Sequence, residues 1–221
     1  MRLQDYITEL KLSPEQEIWT HLKTNCSEIM LFYKKNNTGR MFYRGTHLSI
    51  PDYEVFVPRK NRKPLSTVEW LQEMQDDALE KRFGWRPRSQ GVFALSLYPG
   101  IQDELAVYGK PYMFFPYDGY EYLWSPQISD LFSIYPYSKN DDHYRSIETI
   151  VRRSSRNEKE FKENLKSWKE RFKKWMDTYI DDKLEVALNV RKGHEVMFKC
   201  KKYVMVNPKF EDAIIGKILG D

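Results

Sequence analysis

Cysteine and histidine are scarce: Cys26 and Cys200 are the two cysteines, and four histidines are scattered over 221 residues. So few, so spaced, build neither a disulfide framework nor a metal site, and a reduced cytoplasmic setting is the simplest expectation. Long apolar runs are lacking too. The opening stretch MRLQDYITELKL has no signal-peptide centre and no segment is long enough to span a bilayer, so no membrane association is expected. Charge of one sign is nearly balanced, 36 basic residues against 32 acidic for a net +4, which does not by itself indicate a nucleic-acid partner. A phosphate-binding glycine loop, a His-Glu-x-x-His helix, a nucleophile elbow and a kinase signature are all missing, and with them the commonest enzyme classes. No internal repeat or low-complexity tract occurs.

Aromatic residues, in contrast, are plentiful: 15 Tyr, 12 Phe and 6 Trp within a chain that is 41% hydrophobic. That composition excludes disorder and predicts one aromatic-rich domain over residues 1–221. The segment 1–35 reads as helical, with Ser13-Pro14-Glu15 supplying a cap and a proline at the first helical position. A strand is expected over Arg40 to Thr46, and an extended basic stretch over Val55 to Pro64. Ser66-Thr67-Val68-Glu69 is a capping box for a helix ending near Phe83-Gly84. Further strands are read at Gly91 to Ser96, Tyr112 to Phe115, Tyr120 to Leu123, Glu195 to Phe198 and Tyr203 to Asn207, with a short helix over Asp103 to Tyr108 and a tail helix at the end. Residues 137–160 look like a polar loop opening a helical insertion (137–185). Within it Phe161, Leu165, Trp168, Phe172, Trp175 and Tyr179 recur by threes and fours, a seam that should face the core.

Three polar residues stand in apolar strand contexts: Arg44 in FYRGT, Ser96 in GVFALS and Glu195 in GHEVMF. Their order and setting resemble the arginine, serine, glutamate class of ADP-ribosyltransferases over roughly Arg40 to Asn207. YRG, RKNRKPLST, RPRSQGVFALS, VYGKPYMFFP, YLWSPQISDL and HEVMF together are similar to a set of such proteins carried by large tailed phages. The resemblance implies an α+β fold with a split central β-sheet and flanking helices, NAD+ as co-substrate without a metal, and transfer of ADP-ribose to a macromolecular acceptor. That acceptor is a host protein or a nucleic acid, DNA or RNA, and the setting is the cytoplasm, the host's if the gene is a phage's.

Carried over residue by residue, Arg44 is the anchor for the NAD+ pyrophosphate, a role suited to a forked, permanently charged donor, with Gly45 and Thr46 beside it allowing close approach. Glu195 is the carboxylate that stabilises positive charge on the ribose as the nicotinamide bond breaks. Ser96 would orient the ribose or Glu195, and Phe93, Tyr98 or Tyr108 would sandwich the nicotinamide. Two departures are visible. The serine motif keeps one hydroxyl, Ser96, with Ser89 as the fallback. The position two residues before Glu195, where arginine-modifying members carry a second carboxylate, is Gly193, which makes arginine a less favoured target and leaves His194 as a possible acceptor-side base.

Each residue alone is more simply an ordinary strand arginine, hydroxyl or carboxylate; the order of the three is what favours the site. The competing reading is a non-catalytic nucleic-acid-binding or host-interaction module, suggested by Arg59-Lys60-Asn61-Arg62-Lys63 and Arg152-Arg153-Ser154-Ser155-Arg156.

Overall fold

A computed structural model describes residues 12–63, 68–99, 105, 108–129, 146–190 and 193–220. Ser13 opens α1 (Pro14–Asn25) as its sequence requires, its Oγ accepting from Gln16 N at 3.3 Å while the Gln16 side chain accepts from Ser13 N at 2.9 Å. After α2 (Ser27–Asn36) come β1 (Met41–Thr46) and β2 (Tyr53–Phe56). Helix α3 (Glu69–Phe83) stops at Gly84, whose φ of 77° is the left-handed turn that ends a helix. A single turn, α4 (Pro87–Gln90), leads into β3 (Val92–Leu97), followed by β4 (Lys110–Pro116) and β5 (Glu121–Trp124). The remainder is α5 (Ile147–Ser154), α6 (Glu158–Met176), α7 (Leu184–Asn189), β6 (Glu195–Lys199), β7 (Tyr203–Val206) and α8 (Glu211–Gly220).

The strands form one seven-stranded antiparallel sheet in the order β2-β7-β4-β1-β3-β6-β5, flanked by helices, an α+β fold. It is strongly curved. Phe114 on β4 and Phe198 on β6 have ring centroids 5.1 Å apart, whereas three strand spacings in a flat sheet separate such backbones by about 14 Å. Between β4 and β6 lie β1 and β3, which share three residue pairs, Met41 to Tyr43 against Leu97 to Leu95.

Alternation along the strands sends side chains to two cores. Val92, Ala94, Val196, Phe198 and Trp124 join the cluster built with α1, α2, α7 and α8, whereas Phe93, Met197 and Leu123 join the one built with α3, α5 and α6. The expected seam of α6 is buried at Phe161, Trp168 and Phe172 and half-buried at Leu165 and Trp175. Trp168 stacks on Phe172 at 5.2 Å and meets Trp70 of α3 edge-on at 6.2 Å.

Several expectations shift. The stretch read as polar loop contains α5, because Ile147, Ile150 and Val151 bury one face of it. Tyr179 lies past the end of α6. The extended basic stretch begins earlier as β2, paired with β7. The Ser66-Thr67 cap and most of the expected helix over Asp103 to Tyr108 lie outside the described residues. No helix among the described residues is long and apolar enough to cross a membrane.

Candidate active site

Arg44 is the first residue of β1 beyond its last pair with β3; its own partner is Tyr112 on β4. The side chain reaches across to β3, Nη1 donating to the main-chain oxygen of Phe93 at 2.8 Å, with the guanidinium 5.9 Å from the Tyr203 ring. Where the two strands part, then, an arginine fills the gap.

Glu195 starts β6 opposite Leu95, its backbone N–H donating to Ser129 O at 3.0 Å. Its carboxylate is gripped by Arg88, whose Nη1 stands 3.0 Å and 2.9 Å from the two oxygens. Arg88 is itself fixed from below. Its backbone N–H donates to Asp76 Oδ1 at 2.6 Å and Ser89 Oγ hydrogen-bonds Asp76 Oδ2, so a fully buried carboxylate of α3 ties down α4. Burial pushes the Asp76 carboxyl above its usual range, opposed by those hydrogen bonds and by the nearby guanidiniums of Arg86 and Arg88.

Phe93 joins the two halves. The Arg88 guanidinium lies 4.5 Å from its ring centroid and that of Arg62 lies 4.1 Å from it. Arg62 comes from the loop after β2 and is pinned through its backbone, N–H to Ser89 O at 2.9 Å and C=O from Gln72 Nε2 at 2.7 Å. Burial, reinforced by Arg44 and Arg88 and opposed by Glu195, pushes its ionisation down to about 10, so it remains a cation at neutral pH. Its Nη1 is buried without a hydrogen-bond partner among the described residues. Two guanidiniums thus lie against the Phe93 ring, a third holds its main-chain oxygen, and the one carboxylate is paired with Arg88.

The residues singled out from the sequence divide accordingly. Arg44 and Glu195 are linked through Phe93, Arg44 holding its main-chain oxygen and Arg88, the partner of Glu195, lying against its ring. Ser96 is not: it is fully buried and its Oγ donates to Leu188 O of α7. Leu95 is the cross-strand partner of Glu195, so Ser96, one residue on, points to the opposite face of the sheet. Arg88 holds the carboxylate instead. Ser89, the fallback, bonds Asp76 and acts only through α4. The Phe93 ring is already approached by two guanidiniums, at 4.1 Å and 4.5 Å. Tyr98 is stacked 4.2 Å from Arg40. Tyr108 is half exposed and lies over Gly45, where an added Cβ would stand 2.7 Å from Tyr108 Cβ, so the glycine makes that approach possible. Thr46 turns its Oγ1 back to accept from Leu48 N at 3.2 Å.

A Cβ at Gly193 would lie 3.0 Å from Ser96 O, so the position is tight for any side chain. His194 donates from Nδ1 to Ser125 O at 2.7 Å; a carbonyl can only accept, so Nδ1 carries the proton and Nε2 is left as the basic nitrogen. Among the described residues no group of three or more His, Cys, Asp or Glu is placed to hold a metal ion.

Arg88 and Arg62 escaped the sequence reading. Arg62 sat in a run that looked like a solvated basic loop, and nothing in RPRSQ marks Arg88 as turned inward. Comparison with protein-family models, with curated proteins and with solved structures finds no match. The chain is therefore defined by its own features: an α+β protein with a curved antiparallel sheet and an arginine-rich cluster beyond the last β1–β3 pair.

Proposed function

We propose that this chain is an NAD+-dependent ADP-ribosyltransferase with Arg44 and Glu195 as its anchor and catalytic carboxylate, acting on a macromolecular acceptor, host protein or nucleic acid. The observation that supports the reading is the approach to Phe93 of Arg44, on its main-chain oxygen, and of the Arg88–Glu195 pair, on its ring, although Arg44 and Glu195 lie about 150 residues apart. The early parting of β1 from β3 is further support for the split-sheet version of the fold.

The chemistry follows from the residues. NAD+ is substrate, and its diphosphate suits forked guanidinium donors such as Arg44. As the bond from nicotinamide to ribose C1 lengthens, nicotinamide leaves with the electron pair and the ribose acquires oxocarbenium character. Glu195 stabilises that charge, and Arg88 on its two oxygens fixes the carboxylate while leaving other lone pairs for a ribose hydroxyl. An acceptor nucleophile then bonds to C1 and gives up its proton to solvent.

Incubating the protein with NAD+ labelled in its adenosine half, alone and with separate pools of host protein, DNA and RNA, tests the proposal. Label in one pool together with released nicotinamide is expected. NAD+ bound and returned intact would leave a binding module.

A further inference from the structure

We propose that Arg62 is a second phosphate ligand of this site, so that Arg44 and Arg62 together grip both phosphates of a nucleoside diphosphate group; this rests on the NAD+ reading and names what the arginine cluster recognises. No resemblance assigns Arg62, and its placement is the argument. A basic loop in solvent needs no backbone fixing, yet Arg62 is held by Ser89 O on its N–H and by the buried Gln72 amide on its C=O. Its guanidinium is thereby set 4.1 Å from the Phe93 ring centroid, over the residue whose carbonyl oxygen binds Arg44.

That arrangement is electrostatically unfavourable without a ligand. Arg44 and Arg88 repel the Arg62 cation, only Glu195 among its charged neighbours attracts it, and Nη1 is buried without a partner among the described residues. Burying a cation this way costs stability unless something compensates, and sites kept at such a cost are where ligands bind. Three guanidiniums, of Arg44, Arg62 and Arg88, stand near Phe93 against the one carboxylate of Glu195, an excess of positive charge. The diphosphate bridge of a dinucleotide carries two negative charges at neutral pH. Two forked guanidiniums suit a diphosphate, which presents separate oxygens to each.

Calorimetric titration of the full chain with ADP, AMP and adenosine at fixed ionic strength tests this, alongside nicotinamide release from NAD+. Wild-type protein should bind ADP at least tenfold more tightly than AMP, and Arg62→Gln should lose at least tenfold in ADP affinity and most of the discrimination. The unliganded Arg62→Gln protein should melt no lower than wild type, because an uncompensated cation has been removed. Lys60→Gln, a neighbouring exposed cation, controls for general loss of charge and should bind ADP as wild type does. Should Arg62→Gln fail to fold, Arg62→Lys, which keeps the charge and loses the fork, is judged by the same affinities. Equal binding of ADP and AMP by wild type, or unchanged ADP binding by the Arg62 variant, overturns the proposal. The two readings fail separately: Arg62-dependent ADP binding without nicotinamide release removes the transferase alone, and nicotinamide release with Arg62-independent binding removes the second ligand alone.

Discussion

Arg88 and Glu195, 107 residues apart in sequence, meet through one nitrogen placed 2.9 Å and 3.0 Å from the two carboxylate oxygens. The arginine side chain is 9% exposed and the glutamate 21%, so the pair is shielded but not sealed. Arg88→Gln should therefore cost about 1–3 kcal/mol, the range for hydrogen bonds to charged groups, measured by urea unfolding. Nicotinamide release per folded molecule should fall as well, and Arg88→Lys should restore stability better than activity, because a single ammonium does not reproduce the planar geometry. Full activity in Arg88→Gln would show that Glu195 needs no such support.

Ser96 gives the opposite expectation. Ser96→Ala removes one of two donors to the Leu188 carbonyl, Arg40 Nη1 remaining at 3.3 Å, at a cost of about 0.5–1.5 kcal/mol. Nicotinamide release per folded molecule should stay at the wild-type level. A large drop in turnover with unchanged stability would return Ser96 to the site.

The contrast marks how far the residues were legible beforehand. Strands β3, β4, β6 and β7 were readable because each is an apolar run ended by turn residues, and the α6 seam because its period is helical. Arg44 and Glu195 stood out as charges within such runs. Ser96 looked equally good, but its role depends on cross-strand register, where a slip of one residue exchanges the faces of the sheet, and register is set by pairing that no local pattern shows. Arg62 and Arg88 were hidden for another reason: a buried arginine has the same letters around it as a solvated one until Gln72, Asp76 and Phe93 are brought up from other elements.

Gly45 carries a steric prediction. An added Cβ would stand 2.7 Å from Tyr108 Cβ and 3.2 Å from Leu105 O, so Gly45→Val must push that segment away from Arg44. The expected loss is about 1–3 kcal/mol of stability, as for overpacking elsewhere, with weaker ADP binding beside it. Thermal melts and the same titration check both, and an unperturbed Gly45→Val protein would mean that the segment does not close on β1.

His21 makes stability depend on pH. Partial burial, with Lys202 adding to it, holds its imidazole below the ordinary value, while the ring contacts Tyr53 at 5.4 Å and Tyr117 Oη at 2.9 Å. The folded protein thus takes up the proton less readily than the unfolded chain. The stability this contributes is intact above about pH 6.5 and is lost as pH falls from there through the lowered value. Melting temperature should drop between pH 7.5 and pH 5.5, and His21→Gln should drop less over the same interval. Equal drops would assign the dependence to other groups.

Nicotinamide release by Glu195→Gln bears most directly on the transferase itself. The substitution keeps the size and hydrogen-bonding capacity of the side chain and removes the negative charge that faces the developing ribose cation. Release should fall by about 10²- to 10³-fold, the scale set by losing one aligned electrostatic stabiliser, while ADP still binds, since the arginines around Phe93 remain. A Glu195→Gln protein that releases nicotinamide at the wild-type rate would contradict the assignment of Glu195 and with it the transferase.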